Sequence, residues 1–130
     1  MPTMGRKILL VTDEPPEDSF WHHLHSAFRR AGAKGVYGSG ATDARNLAES
    51  EHYDAVLVDG DLRSGPLGEL FASFRKLPSP PLSIVLLAGL TSEGAERRRA
   101  AVGADAVVHD RGGVDQVAGD TLALLDGPKP

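Results

Sequence analysis

A carboxylate stands where each of two apolar runs stops. Tyr53-Asp54-Ala55-Val56-Leu57-Val58 leads into Asp59-Gly60-Asp61, and Lys7-Ile8-Leu9-Leu10-Val11 passes through Thr12 into Asp13-Glu14. Short unbroken apolar runs mark strands of a parallel sheet, because both faces of such a sheet are covered. Ligands and reacting groups then lie just beyond the carboxyl ends of the strands. The two runs predict an acidic pocket at one edge of a sheet, with oxygen donors suited to a hard divalent cation such as Mg2+. Other chemistries have less support. The chain has no cysteine, which excludes disulfides and thiolate metal sites. In Trp21-His22-His23-Leu24-His25, His22 and His25 share a helix face, but no carboxylate or cysteine spacing completes a metal set, and exposure on an amphipathic helix is the simpler reading. No Ser, Cys or His sits in a nucleophile elbow, so a hydrolase is not expected.

The elements that must position these carboxylates alternate in type. A first strand covers Lys7 to Thr12, and Phe20, Leu24, Ala27, Phe28 and Ala31 then recur at helical spacing up to Gly32. Val36-Tyr37 reads as a short, weak strand between glycines, followed by a helix from Ala41 to Ser50 capped by Ser39 or Thr42. After the strand Ala55 to Val58, the residues Leu67, Leu70, Phe71, Phe74 and Leu77 stripe a third helix. Pro78-Ser79-Pro80-Pro81 stops that helix before the strand Ser83 to Leu87. Ser92 to Val102 reads as helix and Ala106 to Val108 as strand; Val114, Val117, Ala118, Thr121, Leu122 and Leu125 stripe a last helix. Five strand–helix units argue a doubly wound parallel sheet with helices on both faces. Right-handed crossovers make the flavodoxin-like strand order 2-1-3-4-5 the natural expectation, and that order sets Asp13 across from Asp59.

Composition bounds the partners. The 130 residues suit a single domain over 1–130, with an ordered core at about 6–126. A net charge of −4 argues against nonspecific nucleic-acid binding, which needs a basic surface. Glu96-Arg97-Arg98-Arg99 is a local basic cluster that reads as a solvated helix face or a protein contact. The apolar runs are too short for a signal-peptide core or a membrane span, so a cytoplasmic location is expected. Gly60, Gly65 and Gly68 read as a loosened loop after Asp59 and do not make a phosphate-cradling fingerprint.

Over its whole length the chain resembles the receiver domain of two-component response regulators, the CheY-like family. The stretches that carry the resemblance are Ile8 to Pro15, Tyr53 to Asp59, Ile84 to Gly89 and Gly103-Ala104-Asp105, by their order and spacing. The resemblance implies that Asp59 is the phosphoacceptor. It also implies a Mg2+ site made from Asp13, Asp59 and the backbone carbonyl of Asp61, and a histidine kinase or other signalling protein as partner. No enzyme activity is implied. A homodimer through the fourth helix, fifth strand and fifth helix is a further option it suggests. Three parts depart from the family pattern. The acidic pair after the first strand reads Thr12-Asp13, leaving Glu14 as the substitute carboxylate. Ala88 stands where a Thr or Ser hydroxyl belongs, with Thr91 three residues later. Asp110 stands where the strand-end Lys belongs, with His109 and Arg111 beside it, and Val107 replaces the aromatic switch residue. The expected function is an atypical receiver or pseudo-receiver that acts through protein contacts and is phosphorylated weakly or not at all. Two alternatives stand beside it. One is a fully functional Mg2+-dependent receiver. The other is a flavodoxin-like cofactor binder, disfavoured because Asp13-Glu14-Pro15-Pro16 is acidic and its prolines lack the N–H groups a phosphate needs.

Overall fold

The computed structural model describes residues 5–13 and 20–126. Its elements are β1 (Lys7–Thr12), α1 (Phe20–Arg30), β2 (Lys34–Ser39), α2 (Ala41–Ser50), β3 (Ala55–Asp59), α3 (Leu67–Arg75), β4 (Leu82–Leu87), α4 (Ser92–Val102), β5 (Ala106–His109) and α5 (Val114–Asp126). All the strand pairs are parallel and the sheet order is β2-β1-β3-β4-β5, as the alternation of elements predicts.

Side-chain alternation along the strands splits the core in two. Ile8, Leu10, Leu57 and Ile84 face α1 and α5, where they meet Leu24, Phe28, Val117 and Leu122. Leu9, Val11, Val58 and Val85 face the other way, onto Ala44, Leu70, Phe71 and Phe74 of α2 and α3. Burying a side chain such as Phe28 or Phe71, each fully enclosed, contributes about 1.5–3 kcal/mol. Trp21 belongs to the first of these cores, at 2% exposure.

Two local expectations change. β2 spans six residues instead of two. Its glycines are a packing device, since a Cβ on Gly38 would come within 3.2 Å of the Ala44 backbone, so Gly lets α2 lie close against this edge strand. The cap of α2 is neither Ser39 nor Thr42. Gly40 holds the N-cap position without a side-chain bond, and the Ala41 N–H donates to Ser64 Oγ at 2.8 Å, so the cap arrives from the loop after β3. Elsewhere Gly32, at φ 88°, takes the left-handed backbone that closes α1. Among the described residues no helix is long and apolar enough to cross a membrane.

Candidate functional site

The site begins with strand register. β3 lies between β1 and β4, with Val11 opposite Val58 and Asp59 opposite Leu86. Thr12, one residue beyond Val11 and 2% exposed, therefore reaches Asp59, and its hydroxyl donates to Asp59 Oδ2 at 2.9 Å. The Asp61 N–H donates to Asp59 Oδ1, also at 2.9 Å. The Asp59 carboxylate is thus held from both sides at a half-buried position, and each oxygen retains a lone pair.

The carboxylate faces a cavity of about 460 Å3 that Asp61, Leu86, Ala88, Leu90, Arg98 and Asp110 also line, with Phe20 and Trp21 on its α1 side. Its floor is Gly60. Far from loosening the loop, Gly60 is buried, and its N–H donates to the Leu86 carbonyl at 2.9 Å.

Asp13 stands apart from this cavity's lining. Its Oδ2 accepts the backbone N–H groups of Arg63 at 2.6 Å and Ser64 at 3.1 Å, which fastens the loop after β3. Partial desolvation pushes its carboxyl pKa up. The Ser64 hydroxyl, those two backbone N–H groups and the Arg63 charge outweigh that push and hold it below the ordinary 3.8. A depressed folded-state pKa stabilises the fold above the unfolded value and loses that contribution as pH falls through the folded one. Stability should therefore decline below about pH 4 in part through Asp13. At neutral pH Asp13→Ala should cost about 1 kcal/mol, a value that allows for its exposure. Urea unfolding would check it: an unchanged midpoint, or the same acid sensitivity in the variant, would rule out this role. Among the described residues no group of three or more His, Cys, Asp or Glu is close enough together to hold a metal ion. Glu14 lies outside the described residues, as does the proline loop after it.

The remaining sequence-derived positions sort cleanly. Ala88 lines the cavity and offers no hydroxyl. Thr91 does not reach in to replace one, because it caps α4 by accepting the Gly94 N–H at 3.0 Å. At β5, His109 pairs with Leu87, and Asp110 is pinned by its N–H to the Leu87 carbonyl at 3.1 Å, which sets it on the cavity wall. Arg111 donates instead to the Leu90 carbonyl at 3.1 Å. Val107 is half-buried against the α2–α3–α4 core. His25 stacks on Tyr37 with ring centroids 5.1 Å apart and bonds the Gly35 carbonyl at 3.0 Å.

No family model matches this chain, and no curated protein matches it. Solved structures do. A CheY-like response regulator receiver domain from Methanospirillum hungatei is 18% identical with a TM-score of 0.74, covering 94% of each chain. The receiver domain of the Francisella response regulator 1452 is 18% identical with a TM-score of 0.76, covering 96% of this chain and 100% of the other. This is the CheY-like receiver fold. A third receiver-fold neighbour, from a family of streptococcal redox sensors described as evolved from two-component response regulators, is 17% identical with a TM-score of 0.75; the match covers 95% of this chain and 52% of that one.

Within this receiver fold, Thr12, a residue the sequence places at the edge of the site, takes a specific role, and Arg98 joins the site unannounced. Thr12 looked like a missing acid, yet it is the hydroxyl that holds Asp59. Arg98 was indistinguishable from its neighbours. Arg97 turns to Glu93 and Arg99 to Glu96, whereas Arg98 Nη2 donates to the Gly60 carbonyl at 3.3 Å and lines the cavity. Only the rotational setting of α4 separates the three.

Proposed function

We propose that this chain is a two-component signalling receiver in which Asp59 is the phosphoacceptor, with a depleted site that takes phosphate weakly and signals through protein contacts. The observation that carries this reading is Asp110 lining the same cavity as Asp59 at the end of β5, where a cation would balance a phosphoryl group. In the transfer, an Asp59 carboxylate oxygen forms a bond to phosphorus as the bond from phosphorus to the donor breaks, and the donor leaves with the bonding pair. The product carries more negative charge than the carboxylate, and nearby Asp110 and Asp61 oppose it. Ala88 supplies no hydrogen bond to compensate.

The residues suit a loosely held divalent cation. Asp59 keeps free lone pairs and would hold it with the backbone carbonyl of Asp61, whereas Asp13 has one oxygen committed to loop amides. When bound, Mg2+ would neutralise charge on the phosphoryl oxygens. The partner is a histidine kinase or another signalling protein. The α5–β5 side suits a protein contact or a homodimer, since Leu124 is 37% exposed there beside a hollow lined by Val107, Val108 and Ala123. The streptococcal redox sensor supports the view that this fold serves roles beyond the ordinary phospho-switch.

Acetyl phosphate with Mg2+, followed by intact-mass measurement, tests the reading. We expect a minor phosphoryl adduct that disappears in Asp59→Asn. Near-complete modification would refute the depleted site, and an adduct that survives Asp59→Asn would refute the assignment of the acceptor.

A further inference from the structure

Among the described residues, the receiver reading leaves the cavity with three carboxylates on its wall, Asp59, Asp61 and Asp110, and one cation, Arg98. That cation comes from α4. Its guanidinium donates to the carbonyl of Gly60, the residue that directly follows the acceptor. At 3.3 Å the bond is long for an N–H···O contact, and its acceptor is neutral. Guanidinium bonds to an ionised oxygen are shorter and about twice as strong. A guanidinium has five N–H donors, so Arg98 can turn from the carbonyl to an anion without leaving the cavity. The other basic side chains nearby are already directed elsewhere: Arg111 to the Leu90 carbonyl, Arg97 to Glu93 and Arg99 to Glu96.

We propose that Arg98 is the coupling residue of this site: at rest it ties α4 to the acceptor loop through Gly60, and an anion on Asp59 draws it away and shifts α4 with it. This rests on the reading of Asp59 as the phosphoacceptor. It moves the readout from the β4 hydroxyl and β5 aromatic, both lacking here, to a side chain on the helix that would move. α4 can respond as a unit because only Ala95 and Val102 of its residues are buried, so its hold on the core is light. Ala95 packs in the α2–α3 core and gives the helix a pivot close to Arg98.

The test is an amide NMR titration of the whole chain with Mg2+ and excess beryllofluoride. It would use the wild type, Arg98→Gln, Arg98→Lys, Arg97→Gln as a charge-matched control, and Asp59→Asn. In the wild type and in Arg97→Gln, shifts at Asp59 to Asp61 should extend through Ser92 to Val102. In Arg98→Gln the shifts near Asp59 should persist while those of α4 are lost, and Arg98→Lys should restore part of them. Since Arg98 is exposed, the unliganded spectra of the variants should keep the fold's dispersion. Shifts in α4 that survive Arg98→Gln, or a wild-type response confined to the Asp59 loop, would overturn the role of Arg98 and leave the acceptor standing. A wild type with no response beyond that of Asp59→Asn would overturn both.

Discussion

Asp110→Lys combined with Ala88→Thr should raise the rate of Asp59 phosphorylation by acetyl phosphate about thirtyfold, which corresponds to roughly 2 kcal/mol at the barrier. A pair of unit charges about 6 Å apart in an effective dielectric of 20 interacts by about 3 kcal/mol. Asp110 is exposed, so solvent and salt reduce that to about 1 kcal/mol. Replacing Asp by Lys removes a repulsion of this size and adds an attraction of similar size. The threonine hydroxyl at position 88 adds about 1 kcal/mol if it bonds the phosphoryl oxygens, and lysine ordering offsets part of the sum. Neither position is in the core: Ala88 and Asp110 are both exposed on the cavity wall, so the double variant should fold as the parent does. Phosphorylation kinetics followed by intact mass, in low and high salt, would decide the matter. An unchanged rate would mean that the charge at position 110 does not govern the site. A gain that vanishes at high salt would confirm its electrostatic origin.

Gly60→Ala should be among the most damaging single changes in the molecule, lowering stability by about 3 kcal/mol and the melting temperature by about 10 °C. The added Cβ would come 2.6 Å from the Leu86 carbonyl oxygen and 2.6 Å from Leu87 Cδ2. The leucine tip can move, but the carbonyl belongs to β4 and accepts the Gly60 N–H. Relief therefore requires the loop to withdraw from the sheet, which breaks that bond and carries Asp59 and the Arg98 acceptor with it. The backbone of Gly60 is not in the left-handed region, so the cost arises from lack of space alone. Thermal unfolding of Gly60→Ala beside Gly68→Ala, where the nearest atom to an added Cβ is 4.0 Å away, separates space from general glycine effects. Equal melting temperatures for the two would contradict the close approach.

Period and run length carried much of the fold. Ile8 to Val11 and Ala55 to Val58 have no polar residue to place in solvent, so they could only be central strands, and the helical stripes had only the two sheet faces to cover. Ile84 to Leu87 follows the same logic, although the buried Ser83 just before it breaks the apolar run. Where side chains are small, the pattern is weak: β2 reads as two residues because Gly35 and Gly38 carry no apolar signal, although Gly38 is what admits α2 and Gly35 lies against His25 of α1.

The candidate site was legible in part. That Asp59 ends a buried strand follows from the chain alone, as does the lack of a hydroxyl at Ala88 and of a lysine at Asp110, since residue type and strand ending are local properties. What those residues meet was decided by tertiary structure. Strand register brings Thr12 to Asp59, the loop after β3 brings Ser64 to the start of α2 and Arg63 and Ser64 to Asp13, and the rotation of α4 selects Arg98 from three consecutive arginines. Sequence periodicity reports which face of an element is apolar. It cannot report the sub-ångström setting of one element against another, because that is fixed by packing between residues far apart in the chain.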